Sequence, residues 1–477
     1  MAHGSRWTVG LTAVALGGLL VVLALPGPAQ PQEAQTAEAP KRKNFEIPRD
    51  LTSELRVKAA YNDTHAFFRF QWASETANTY HDYIYFEGGK WQTTKGSSVG
   101  VHPQKLYEDR VSFLLDDGAV RYFDSAGGFI TIHEQMRFLS NQAPAEEVRK
   151  HPYIGGTRKA SDVRKYIPET RTDGDWRSVR SAEEMAALKR AGVFLDLWMW
   201  RSHRGGPLGY IDDNWVMDYR NSDEGKGAFT DNWDAEKKQP KFMFDPDKNG
   251  GMTALKWADV KERRLTAQDR YFLADDFARP FDPAREWKEG DAIPRRLLRL
   301  PDGSRGDIVG RGTWKDGQWT VDMARLLDTG KADDKALRDQ RRYTIAFGVH
   351  KNYTGSRWHH VSHPYTLGMG TEADLSARRF TGDTPPWDAI AWTPVPLFYP
   401  GQVTWTYLTS SAHPGSREVL DGRACASCHP ASLMGQYAVE HELKDEVRGR
   451  WLYTIASAMI FLAGLCVAGV IAARRRG

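Results

Sequence analysis

Apolar residues in the central part of the chain recur mostly at every second position, the spacing of half-buried strands rather than of helices. Residues 55–60, the pair Asn62-Asp63, and residues 66–72 read as strand, tight turn, strand. Residues 110–115 form a short strand stopped by Asp116-Asp117-Gly118. In 192–200, Val193, Leu195, Leu197 and Met199 point one way and Phe194, Trp198 and Trp200 the other. Only Asp196 interrupts the apolar character, which predicts a strand covered on both faces. Lys315-Asp316-Gly317 separates two further short strands as an Asp-Gly hairpin, and 342–350 is another strand. One helix is well marked, 181–191, with a Ser181…Glu184 capping box and Gly192 just past its end. Residues 216–300 are polar, rich in Asp, Lys, Pro and Gly, and predict long loops. There is no internal repeat. The pattern predicts a mainly β chain, an antiparallel β-sandwich over 46–400 with loop insertions.

The two ends differ from this middle. Residues 9–25 form an apolar run after His3 and Arg6, followed by Pro-Gly-Pro-Ala. They read as a signal peptide over 1–29, with an uncleaved N-terminal anchor as the alternative. Residues 30–45, rich in Pro, Ala, Gln and Glu, read as a linker. Residues 451–473 are apolar throughout and would cover about 34 Å as a helix, enough to cross a bilayer. Arg474, Arg475 and Arg476 then put the 474–477 tail on the cytoplasmic side. The expectation is a single-pass protein of the cytoplasmic membrane, its bulk exported to the periplasm. The 65 basic and 61 acidic residues are interspersed, for a net charge of +4, which excludes a nucleic-acid footprint.

Chemistry enters with Cys425-Ala-Ser-Cys428-His429. C-x-x-C-H is the attachment pattern of a c-type haem, two thioether bonds with the histidine on the iron. A thioredoxin-like pair wants a βαβ context that Gly-Arg-Ala and His-Pro do not supply, and a zinc site needs a second ligand pair. Cys466, in the last apolar run, is a small apolar filler, so no cysteine remains for a disulfide. Residues 401–450 are therefore expected to be a haem c segment. The sixth ligand is expected to be His413, which has the reach to cross to the opposite face of the porphyrin. Met434, His441 and an open face are the alternatives.

Several stretches together resemble a family of haem-binding domains, the cytochrome c-552/DMSO reductase-like domains. These are related to the γ subunits of ethylbenzene dehydrogenase and dimethylsulfide dehydrogenase. The matching residues are Ala60-Tyr61-Asn62-Asp63 with Phe70-Gln71-Trp72; 107–113; 197–201 with Gly209-Tyr210-Ile211-Asp212-Asp213; 316–320; and 360–367. The resemblance implies a β-sandwich around a non-covalent haem b. It also implies service as an electron-transfer subunit of a periplasmic molybdoenzyme or among membrane cytochromes.

The resemblance also implies ligands for that second haem. Relatives can carry Gly-Cys-x-x-Cys-His where this chain has 127–133, with Phe129 and Ile132 at the cysteine positions and His133 retained. His133 is thus the expected ligand, and Met136 the alternative. The second ligand, a lysine in the dehydrogenase γ subunits, falls here on His359. His360, on the opposite face of a strand, and His363 compete. Trp198, Trp200, Phe113, Tyr343 and Phe347 would wall a cavity or simply form core.

The leading expectation is a membrane-anchored dihaem cytochrome with no catalytic residues of its own. It would relay electrons between a periplasmic oxidoreductase and a membrane cytochrome or quinone-linked complex. The sequence holds no P-loop or H-E-x-x-H and no Ser/His/Asp set, so catalysis would have to occur at an open haem iron. A third expectation is a ligand-binding sandwich carrying only haem c.

Overall fold

The computed structural model describes residues 52–94, 106–137, 139, 142–266, 269–351, 359–398, 403–411, 413, 415–423 and 444–474. The signal peptide, the linker, Cys425, Cys428, His429, Met434, His441 and the 475–477 tail lie outside the described residues. Contacts divide the chain into two units, Met1–Asn44 and Phe45–Gly477, and every described element belongs to the second.

Thirteen strands make one hydrogen-bonded sheet. They are β1 Thr52–Tyr61, β2 His65–Ala73, β3 Arg110–Asp116, β4 Leu195–Arg201, β5 Asp212–Val216, β6 Arg220–Ser222 and β7 Val309–Lys315. The rest are β8 Gln318–Leu326, β9 Arg341–His350, β10 His360–Val361, β11 Tyr365–Met369, β12 Leu375–Arg379 and β13 Thr393–Phe398. Both predicted hairpins form: β1 and β2 pair about Asn62-Asp63, and β7 and β8 pair about Asp316-Gly317, the latter two residues with positive φ.

The expected pair of separate sheets is not what forms. β1, β12, β11, β9, β10 and β13 are bonded in a closed circuit, a six-strand barrel. β2, β8 and β7 extend from β1, and β3, β4, β5 and β6 extend from β9. The closure arises because two long strands each divide one edge between two partners. β1 pairs β13 over Thr52–Val57 and β12 at Ala60 and Tyr61; β9 pairs β11 over Arg341–Ile345 and β10 at Gly348 and Val349. The β1–β12 and β11–β12 pairs are parallel, so the sheet is mixed rather than purely antiparallel.

Alternation along β3, β4 and β9 builds two cores. Val111, Phe113, Leu115, Trp198, Trp200, Ile345, Phe347 and Val349 pack with Phe68, Phe70 and Trp72 on one face. Leu114, Leu195, Leu197, Met199 and Ala346 pack on the other with Phe123, Phe129 and Ile130, from the insertion that follows β3. Trp198, Trp200 and Tyr343 are therefore barrel core. The insertion also holds the predicted helix, Ala182–Arg190, with both capping-box bonds at Ser181 and Glu184.

Residues 216–300 are not simply loops. Short strands such as Phe229–Asp231, Phe242–Phe244 and Asp291–Pro294 form small sheets, and Met243, Phe244, Leu273, Ile293 and Leu297 belong to a core of their own. Strands this short carry too few positions to reveal a period.

A helix spans Lys444–Arg474. Among the described residues no helix is long and apolar enough to cross a membrane.

Candidate functional site

The insertion lies over the outer face of β3, β4 and β9 and leaves a cavity of about 330 Å³, within the ~300–1,000 Å³ typical of cofactor clefts. Its floor is Ser112 and Leu114 of β3, Leu197 and Met199 of β4, and Ala346 and Gly348 of β9. The facing wall is Gly128, Phe129, Met136 and Arg137 with Val163, Arg164 and Lys165; His350, His359, Val361 and Ser362 close one side. Phe113 and Phe347 reach it while remaining part of the barrel core.

Glycine permits the close approach of these parts. Gly127 has φ 57°, and a Cβ there would lie 3.2 Å from Ala346 Cβ and from Pro364 Cδ. A Cβ on Gly348 would lie 3.3 Å from His359 Cδ2.

Met136, Met199, His350 and His359 line this cavity, two of them, Met136 (as an alternative) and His359, expected as iron ligands from the sequence. Met136 is buried, and its sulfur accepts the backbone N–H of His133 at 3.0 Å. His359 is buried, its ring stacked on that of His350 at 4.4 Å and 10°. His133 is placed elsewhere, in a second cleft of about 790 Å³ with Tyr122, Trp405 and Leu420. Its Nε2 lies 2.9 Å from the Tyr166 carbonyl oxygen, and its ring stacks on Tyr166 at 3.8 Å. Burial pushes its pKa down to about 3. His360 and His363 are buried outside the cavity wall, His363 against Phe398 at 5.0 Å. His413 is buried with its ring edge-on to Tyr407 at 5.6 Å. The haem c motif lies outside the described residues.

The polar end of the cavity is cationic. Arg110, Arg137, Arg164, Lys165, Arg201, Arg204 and Arg220 line it. Glu108 pairs with Arg110 and Arg204, Asp162 with Arg137 and Arg164, and Asp212 with Arg201 and Arg220. Seven cations against three carboxylates leave a formal excess of four positive charges. Arg110 stands directly across from Arg201 on β4 and from His350 on β9. Like charges opposite one another destabilise a sheet unless something offsets them. The cost is visible in Arg201: burial holds its pKa well below the usual range, Asp212 opposes this, and Arg204, Arg110 and Arg220 lower it further. Burial with the neighbouring arginines likewise brings Arg220 down to about 10 against the pull of Asp212. Glu108 responds in the opposite sense; burial would raise it, but Arg204, Arg110 and Arg201 outweigh burial and hold it near 2. The buried Nη2 of Arg110 donates no hydrogen bond.

Apolar walls, a thioether, imidazoles and a surplus of cations, of which Arg110 and Arg201 are buried, fit a flat apolar group bearing two carboxylates. A haem has that composition. Sequence reasoning did not single out His350 or the arginines. Their signal was the position of Arg110, Arg201 and His350 at one end of three apolar strands, legible only once those strands are paired.

The model of the family described as ethylbenzene dehydrogenase matches residues 30–362, most of the chain. Among curated proteins, a cytochrome c-552 of Stutzerimonas stutzeri is 28% identical over 81 residues, 17% of this chain and 28% of that protein. The match thus spans under a third of that cytochrome.

Proposed function

The chain belongs to the ethylbenzene dehydrogenase family, and on that premise we propose that it is a two-haem electron-transfer protein. A non-covalent haem b would sit in the cavity lined by Met136 and His359. A haem c would be attached at Cys425, Cys428 and His429. The observation that carries this reading is one cavity lined by a thioether, imidazoles and a cationic end. Bound there, haem supplies a one-electron centre.

The chain's own residues would hold, orient and shield that centre. Met136 and His359 would supply the thioether and imidazole to the iron, and a centre held by both would serve electron transfer rather than catalysis. The His133 N–H holds the Met136 sulfur in place. Arg110 and Arg201 would hold the carboxylates, and the apolar floor would exclude water. A Met/His pair departs from the bis-histidine pair expected with His133, and a thioether raises the reduction potential relative to that alternative.

His133 and Met136 sit on one short segment yet line different cavities, and Leu420, shortly before Cys425, lines the His133 cleft. That arrangement supports a relay from haem b toward haem c. A periplasmic oxidoreductase, of molybdoenzyme type, and a membrane cytochrome or quinone-linked complex are proposed as its two partners. Export, and attachment through the apolar run 451–473, belong to the same proposal and rest on the sequence.

The test is anaerobic redox titration of purified protein, followed by exposure of the reduced form to CO. Two one-electron waves with no CO adduct at the non-covalent haem are expected. A CO adduct there would favour the open-iron reading, and a single wave the reading with haem c alone.

A further inference from the structure

Away from the haem cavity, strands β4, β5 and β8 and their connections bring carboxylates from five places around one buried guanidinium. Arg325 Nη1 donates to Asp196 Oδ2 at 2.9 Å and to Asp334 Oδ1 at 2.5 Å, and its Nη2 donates to the Lys335 carbonyl at 2.8 Å. Asp213 Oδ2 faces the same Nη1 at 3.9 Å, beyond hydrogen-bond reach.

A dense set of unsatisfied acceptors surrounds that guanidinium. Asp213 is 0% exposed and Asp223 4% exposed; no N–H or hydroxyl donates to either carboxylate, and Asp213 has only the Asp223 and Asp307 carboxyls in hydrogen-bond contact. Both oxygens of Asp307 and Oδ1 of Asp196 are equally bare. Three carboxylates face this one guanidinium, and a fold does not ordinarily bury bare acceptors without a partner. Ligand oxygens of Asp196, Asp213 and Asp334 lie within 4.8 Å of one another. Two oxygens bound to one calcium at 2.3–2.6 Å can be at most about 5 Å apart. An all-oxygen, carboxylate-rich set selects a hard cation over zinc or copper.

We propose that Asp196, Asp213 and Asp334 bind a calcium-class divalent cation beside Arg325, with the Asp223 and Asp307 carboxylates adding negative charge next to them. The ion would tie the β4 and β5 edge to the loop at 329–335. It is independent of the haem cavity. Burial, then Asp196, Asp333 and Asp334, raise the neighbouring Asp223 to about 9, and burial with Asp334 raises Asp307 to about 7.

The experiment uses the full-length protein, stripped with EGTA and titrated with CaCl2 by calorimetry, with melting followed in parallel. Saturable binding of one Ca²⁺ equivalent and a rise in Tm on its return are expected. Asp213→Asn should weaken Ca²⁺ binding at least about ten-fold, while the stripped variant, relieved of one repelling carboxylate, melts no lower than stripped wild type. No binding at millimolar Ca²⁺ with an unchanged Tm would overturn the proposal and leave a proton-sharing carboxyl network. A preference for Mg²⁺ over Ca²⁺ would overturn the ion class. Should Asp213→Asn fail to fold, the wild-type titration decides alone.

Discussion

Replacing Met136 by leucine separates packing from ligation at the proposed haem b site. Met136 is 1% exposed and packs with Leu139, Val148, Ile154 and Tyr166. Leucine nearly conserves its volume, so repacking costs less than about 1.5 kcal/mol. The His133 N–H, 3.0 Å from the sulfur, loses a weak acceptor, adding about 1 kcal/mol at the low end of the range for a stranded donor. At ~2–4 °C per kcal/mol, Tm falls by several degrees and the fold survives. The spectrum should change far more. With one axial bond gone, the extractable haem becomes high-spin and five-coordinate, its potential falls, and CO gains access. Optical and EPR spectra of variant and wild type, with a redox titration, make the measurement. A low-spin haem of unchanged potential in Met136→Leu would refute this ligand assignment. The same spectral change in His133→Ala instead would transfer the role to His133.

Other consequences come from the same geometry. Arg110→Gln removes a buried cation whose Nη2 is free; haem b affinity should drop about ten- to a hundred-fold, the worth of a charge-assisted bond of about 1.5–3 kcal/mol, as measured by haem transfer to apomyoglobin. In Gly348→Ala the new Cβ, 3.3 Å from His359 Cδ2, should push the imidazole off its position and weaken haem b binding, with haem c content unchanged. His133 is neutral in the fold because burial brings its pKa to about 3, below the ~6.5 of an unfolded chain. Its contribution to stability is therefore complete above about pH 6.5 and is lost as pH falls, by about 1.4 kcal/mol per unit between roughly pH 6 and 4. Denaturant titrations across that range should show the slope, and His133→Gln should lessen it by about that amount, the rest coming from His81 and His203, which burial also lowers. Ser181→Ala breaks the capping box of the Ala182–Arg190 helix and should cost about 1 kcal/mol by urea denaturation.

Local chemistry was legible in the sequence, and long-range closure was not. The hairpins at Asn62-Asp63 and Asp316-Gly317 follow from turn residues, the capping box from Ser181 and Glu184, and the two-faced β4 from strict alternation. The barrel depends on β1 and β9 each dividing an edge between two partners, and nothing within β1 encodes where β13 ends and β12 begins. The short strands of 216–300 carry too few residues to declare a period. At the site, Met136 and His133 lie three residues apart and sequence reasoning named both. Which of them lines the cavity depends on how 127–137 lies against β9, a packing that Gly127 permits and no local pattern announces. The arginines became meaningful only when strand pairing set Arg110 opposite Arg201. The five aspartates around Arg325 are spread from 196 to 334, and the fold alone gathers them.

The central claim is that this chain holds two haems in different ways. A pyridine haemochrome assay on purified protein, before and after extraction with acidic acetone, tests it most directly. Equal amounts of haem b and haem c, with only haem b extracted, are predicted. Protein retaining haem c alone, with nothing extractable, would mean that the Met136–His359 cavity holds no haem and would contradict the claim.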